Sequence, residues 1–588
     1  MQTWPSFKKK RLLGICLVIF LIVAFLTGYQ LGWMQARNSS ITIEPGSFTE
    51  ESAFIIFKIN NMVYAKNGKT GEIDFQDIDI KVILTSCINA LSRRGGIIFI
   101  KAGKYVTEGN IQIINKSNFQ IIGEGKTSTI IEIPEPTEYI KTRILDLQSC
   151  ENFIIKDLWL QGNCTSHPGE YRPWHGLNLE NCENFLLENL KVTRIYTCIA
   201  CSGKKGIISG CEVHGLYGTE WVAQTGIIIS GNSEDFIIEN CYVHHCAGDL
   251  ILPTPQVGMI RRLFFIGNVL DSCGDTAIDF AGVDRSKYIE GATVIGNLFR
   301  NCHHSHIVQT YSRAITIANN IYDEGDQYNS HILITGSAFN VVIKGNVFYD
   351  SGVFWKYSIR LGNGAHDITI EGNVFTRPSG TNGAVYFEST SLPAKNINII
   401  GNIFQGNASG GYLVCFKSYA RGEKIVVSNN IITEVASSTG FMWFDDNSYV
   451  ADMLIIGNTF NSSQGMAFRG RGNYTLIGVK VYYNIFDCPS WGEVGFENFD
   501  LEGNSQFISE NCGVASELAN GGMIVHGLIG APSVVALTCL NATYDGVPVT
   551  VSWNQELTNS THVAVNIYWA NGTAVMDPVI AVSWYAEV

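Results

Sequence analysis

Charge is scarce in this chain, and positive charge scarcer still. Asp, Glu, Lys and Arg together make up 16% of 588 residues, and the formal net charge is −13. A nucleic-acid partner is therefore excluded, because binding phosphate needs a basic footprint. Apolar residues at a 3.6-residue period are also rare, which argues against an all-α chain. Asn-Gly and Asp-Gly hairpin turns are scarce within the central segments, so antiparallel propeller blades fit poorly. No Cys/His spacing typical of a structural zinc site occurs. What is present instead is 59 glycines and many short alternating runs rich in Ile, Val, Phe and Tyr, the composition of an all-β chain.

One apolar run is long. Leu12–Met34 follows the basic cluster Lys8–Arg11 and is about long enough to span a bilayer. The charge bias predicts residues 1–11 as a cytoplasmic tail, 12–34 as a single-pass transmembrane signal anchor and 35–53 as a linker, with the body extracellular. A cleaved signal peptide is the competing reading, although "MQA" at 34–36 is a poor cleavage site. Glycosylation sequons at Asn38, Asn115, Asn163, Asn407, Asn461, Asn473, Asn541, Asn559 and Asn571 agree with export.

A short phrase recurs through the middle of the chain, as in "GNVL", "GNLF", "NNIY" and "GNVF". Its Asn stands at 240, 268, 297, 320, 346, 373, 402, 430, 458 and 484, at intervals of 23 to 29 residues. Each interval holds three short apolar strands, so the repeat reads as one coil of a stacked solenoid. The expected fold is a right-handed parallel β-helix with three-strand coils. The repeated Asn is expected at a bend in left-handed backbone geometry, with its side chains bonded along the stack.

The segment "VILTSCINALSRRGGIIFIKAGKY" (Val82–Tyr105), followed by "NFQIIGEG" (Asn118–Gly125), resembles the opening of pectate-lyase-like β-helix proteins. The resemblance implies an N-terminal cap helix, a β-helix over 54–510 and, loosely, a carbohydrate or surface function. The usual Asp-Asp-Thr before the cap is replaced by "DIDIK". The three-Asp pattern of polygalacturonases is missing, and no Arg stands clearly where a pectate-lyase base is expected. After about Gly521 the phrase disappears, and alternating runs predict a small antiparallel C-terminal β module over 522–588. That module resembles those of archaeal surface proteins and tail-fibre-like proteins.

Candidate site residues emerge when the coils are stacked on "CAGDLI", "CGDTAI" and "CHHSHI". Asp275 and Asp279 are four residues apart, about 13 Å along a straight strand. That is beyond the roughly 5 to 9.5 Å of paired glycosidase carboxylates. The stacking instead gives Asp275 the partners Asp249 and His304. With Ile251, Ile278 and Ile307 inward, it predicts Ala277 and Asp279 outward, with His306, His331 and Ser358 outward in one column and Val308, Leu333, Arg360 and Tyr386 in the next, so that Asp279 is diagonal to His306. The catalytic candidates are thus Asp249, Asp275, Asp279, His304 and His306. An acid–base pair of carboxylates would suit a glycoside hydrolase, and a His beside an Asp would suit a lyase. Tyr171, Arg172, Trp174, Trp221, His331 and Arg360 are candidates for sugar binding, with Glu220 and Trp443 as further contacts. Against this, an Asp at a strand entry often only caps its own backbone, and loop aromatics often only pack beneath loops.

Calcium through Asp249 and Asp275 is the cofactor reading considered, since it takes oxygen ligands. The 16 cysteines fit either extracellular disulfides or a ladder of buried thiols. Two functions stand at this point. One is a membrane-anchored extracellular enzyme acting on polysaccharide, as a glycoside hydrolase or polysaccharide lyase. The other is a non-catalytic glycan-binding or attachment protein.

Overall fold

The computed structural model describes residues 52–134, 143–162, 175–215, 225–323, 330–349, 357–376, 383–405, 411–433, 439–462 and 466–488, and parts of 490–587. The expected anchor and basic tail lie outside the described residues. Among the described residues no helix is long and apolar enough to cross a membrane.

The described chain begins with an antiparallel meander of Phe54–Ile59, Met62–Asn67 and Ile73–Asp77. A helix over Ile80–Ala90 follows. Its start is fixed by Asp79 of the "DIDIK" segment, whose carboxylate accepts a hydrogen bond of 2.8 Å from the Lys81 amide. Ile80, Ile83, Leu84, Cys87 and Ile88 recur at helical spacing and are all buried. The helix therefore covers the end of the solenoid core with a single apolar stripe.

From there the chain winds as a right-handed parallel β-helix. Each coil lays down three strands, which stack in register on those of the next coil. On the first face Ile278 pairs with Ile307, and Ile307 with Ile332. On the second face Leu263 pairs with Ala292, and Ala292 with Ile315. The third face is a sheet of 15 short strands. Along it Phe299, Tyr322, Phe348 and Phe375 stack inside the coil, with ring centroids 4.7–4.9 Å apart. Burying such large side chains at every coil supplies the main favourable term, about 1.5–3 kcal/mol each.

The corner between the second and third faces carries the repeated Asn, buried from Asn268 to Asn484. From Asn297 onward each Oδ1 accepts from the backbone N–H and the side-chain amide of the Asn one coil earlier. Asn346 Oδ1, for example, takes both donors of Asn320 at 2.9 and 3.0 Å. Each Nδ2 also donates to a backbone carbonyl, as Asn346 does to Ile317 at 3.0 Å. The structure corrects the expected backbone geometry. The left-handed residue is the one before the ladder Asn: Gly267, Gly296, Asn319, Gly345, Gly372, Gly401, Asn429, Gly457 and Tyr483. Asn240 belongs to that left-handed column, at φ 53°, and Cys241 takes the ladder position.

The described cysteines are free thiols, nearly all buried, so the thiol reading holds for them. Cys246, Cys273 and Cys302 stack in one inward column. The last parallel pairing joins Val479–Tyr482 to Phe499–Glu502. Beyond it, Glu510–Leu518, Val534–Cys539 and Ile580–Glu587 form one antiparallel sheet. Gly522–Val525, Thr543–Tyr544, Val547–Asn554 and His562–Trp569 form another. Val563, Val565, Ile567, Val582 and Ala586 give these strands a core of their own.

Candidate active site

The bend from the third face to the first is short, and it sets the carboxylates. Asp249 lies between the strands Tyr242–Cys246 and Ile251–Thr254. Asp275 lies between Val269–Cys273 and Thr276–Ala281. Asp279 is the fourth residue of that last strand. Its backbone neighbour on the next coil is Val308, and Leu252 is the matching position on the previous coil, one step beyond the Ile251–Ile278 pair.

Asp249 accepts a hydrogen bond of 3.2 Å from the Thr276 amide. Asp249 is half-buried. Burial, then the charges of Asp279 and Asp275, push its pKa up to about 8. Asp279 rises to about 7, first through burial and then through Asp275. Asp275 itself is half-exposed, takes the Thr276 hydroxyl at 3.3 Å, and has His304 Nδ1 at 3.7 Å. The His304 amide also donates to the Asp275 carbonyl at 3.0 Å.

The charges of Asp279 and Asp275 thus act on Asp249, and that of Asp275 acts on Asp279. The expectation that Asp279 stands apart from Asp275 is corrected. The straight-strand distance does not apply, because Asp275 sits in the bend before the strand begins.

His306 and His331 are not on the outer face. They are 2% and 5% exposed, with Nδ1 atoms 2.8 Å apart. Both rings lie 5.7 Å from that of Tyr322, inside the coil. Ala277 and Ser358, expected outward in the same column, are buried as well. At this corner the chain turns, so two successive residues face inward and strand alternation fails. His306 consequently does not face Asp279.

The next column is outward over several coils, from Asp279 through Val308, Leu333 and Arg360. Val308 and Leu333 are half-buried. Arg360 pairs with Glu388, which also takes Lys417. Tyr386 is buried against Tyr357, the rings 3.7 Å apart. Trp443 faces outward but is flanked by Tyr412 and covered by the Arg469 guanidinium, 5.8 Å from its ring centroid. Tyr171, Arg172, Trp174, Trp221 and Glu220 lie outside the described residues.

Among the described residues, the three-fold grouping of metal-ligating side chains is not at the carboxylates. It is His214, His244 and His245. The sequence reading missed it, although "CEVH" and "CYVHH" align on Cys211 and Cys241 as the other coils do.

Residues 175–324 match the family model described as a right-handed beta helix region. A search of the curated proteins finds no match at the sequence level. Among solved structures, the chain is similar to a tailspike protein of E. coli bacteriophage HK620 in complex with pentasaccharide. The identity is 12% and the TM-score 0.46, covering 87% of this chain and 90% of that one. It is also similar to the A-module of an Azotobacter vinelandii mannuronan C-5 epimerase, at 14% identity and TM-score 0.32, covering 72% and 94%. A third is the catalytic unit of an α-1,3-glucanase from Streptomyces thermodiastaticus, at 14% identity and TM-score 0.35, covering 68% and 66%.

Proposed function

We propose that the β-helix is a polysaccharide-acting enzyme, a glycoside hydrolase whose acid–base groups are Asp249, Asp275 and Asp279. The observation that carries this reading is the pair of raised carboxyls. Burial and mutual repulsion hold Asp249 and Asp279 protonated at a pH where an ordinary Asp is ionised. A protonated carboxyl can give its proton to a glycosidic oxygen. Asp279 acts directly on Asp249, so in this reading the acid role belongs to the two together. Asp275, beside His304, then activates water.

A lyase or epimerase acting on uronates would need cationic groups to neutralise the sugar carboxylate. The groups that shift Asp249 and Asp279 include no Lys or Arg, and Arg360 is engaged by Glu388 three coils away. The acidic set favours a neutral glycan. The test is incubation of the chain with a panel of neutral and acidic polysaccharides. New reducing ends without unsaturated-uronide absorbance are expected. Unsaturated product would replace hydrolase with lyase, and saturable binding without any turnover would leave a glycan-binding protein.

The N-terminal anchor belongs to the same proposal, resting on the apolar run and its basic flank. Protease added to intact cells should digest the body and spare the anchored stub. Release of the intact body with a new N-terminus near Arg37 would show a cleaved signal instead.

A further inference from the structure

We propose that His214, His244 and His245 form a binding site for a borderline divalent transition metal, with zinc as its reference ion. His214 ends the strand Glu212–His214. The next coil places His244 directly beside it on Tyr242–Cys246. His245 follows in left-handed backbone geometry, at φ 53°, which turns its side chain toward the same spot. One ligand atom from each of the three lies within 4.8 Å of the others. Nitrogens bound tetrahedrally to zinc at about 2.0–2.1 Å are roughly 3.3 Å apart, so small side-chain rotations close the site.

A second observation points the same way. His244 is 8% exposed, and its Nε2 is buried with no hydrogen-bond partner. Its Nδ1 lies 2.7 Å from that of His245, so a metal bound between these two rings would take the place of that hydrogen bond, whereas a metal on Nε2 would satisfy the atom that has no partner. The Tyr242 ring stacks on His244 with centroids 3.9 Å apart, and the His214 and His244 rings stack with centroids 4.7 Å apart. These contacts limit the rings to small rotations before any ion arrives. Three imidazoles suit Zn²⁺, Cu²⁺ or Ni²⁺ and do not suit Ca²⁺ or Mg²⁺. Three protein ligands also leave a fourth position for water or a small ligand.

This site is separate from the carboxylate set and does not depend on the hydrolase reading. Its test is metal stoichiometry on the full chain after chelator treatment and dialysis against Zn²⁺. One bound ion per chain is expected. His244→Gln and His214→Gln should each weaken that binding at least a hundredfold, while His366→Gln leaves it unchanged. Undiminished binding in the His214/His244 double variant, or no stoichiometric zinc in the wild type, overturns the proposal. Because a variant could fail to fold, cobalt substitution of the wild type gives an independent reading. Visible ligand-field bands without near-ultraviolet thiolate charge transfer are expected. A strong thiolate band would put the metal on cysteines and sink the site.

Discussion

At the scale of single residues, the raised carboxyls make function and stability oppose each other. Both Asp249 and Asp279 have folded pKa values above the ordinary 3.8. Between about pH 4 and pH 8 the folded chain therefore holds protons that the unfolded chain has released. The contribution of these two groups to stability is full below about pH 4, falls as pH rises through that window and is gone above it. Asp249→Asn removes one such group yet keeps an Oδ1 for the Thr276 amide. The variant should match the wild type in melting temperature at pH 4 and exceed it at pH 8, while losing activity about a hundredfold or more. An unchanged difference across pH would mean that Asp249 is only a capping residue. Asp279→Asn removes the larger of the two charges acting on Asp249, so the alkaline limb of kcat/KM should move to lower pH. The Asp249–Asp275 neighbourhood was legible from the sequence because coil stacking needs only the repeat. The part played by Asp279 was not, since it depends on where a bend gives way to a strand.

At the scale of the element, the Asn corner ladder and the His corner behave differently under mutation. Asn346→Ala would leave the Asn320 amide and the Ile317 carbonyl without partners, in a site that is fully buried. Each orphaned group costs about 1–3 kcal/mol, so a loss of about 2–5 kcal/mol in urea unfolding is expected. Asn240→Gly should change stability by less than about 1 kcal/mol, because that position asks only for left-handed backbone, which glycine adopts readily. Equal costs at the two positions would place Asn240 back in the ladder. The inward column of Ile251, Ile278 and Ile307 was legible from period-two alternation, and all three are fully buried. Ile278→Asp should accordingly abolish folding or cost several kcal/mol. The adjoining column of Ala277, His306, His331 and Ser358 was misplaced for a physical reason. Alternation describes a straight strand, and at a coil corner the chain presents two residues in a row to the interior. Polar types such as His and Ser gave no sign of this, because their burial depends on the Tyr322 and Phe348 rings that come from another face.

At the scale of the whole molecule, the solenoid turns the column from Asp279 to Arg360 into a track. Adjacent coils are about 4.8 Å apart, so the three steps through Val308 and Leu333 span roughly 14 Å. Two half-buried apolar side chains form the floor of that track. One end carries the raised carboxyls, and the other carries Arg360, held by Glu388 and, through it, by Lys417. The apolar floor suits the hydrophobic face of a sugar ring, and the guanidinium is a multiple hydrogen-bond donor for hydroxyls. Under the proposed function, a polymer lying along the coil axis reaches Arg360 only if it extends several units beyond the bond being broken. Arg360→Ala should thus raise KM severalfold for long chains and leave kcat unchanged, since Arg360 touches no reacting atom. Oligosaccharides too short to cover the track should show no difference between variant and wild type. A kinetic series over chain length makes the comparison. If Arg360→Ala weakens the shortest substrate as much as the longest, the polymer does not run along this column. If it lowers the melting temperature without touching KM, the Arg360–Glu388–Lys417 network serves only to hold neighbouring coils together.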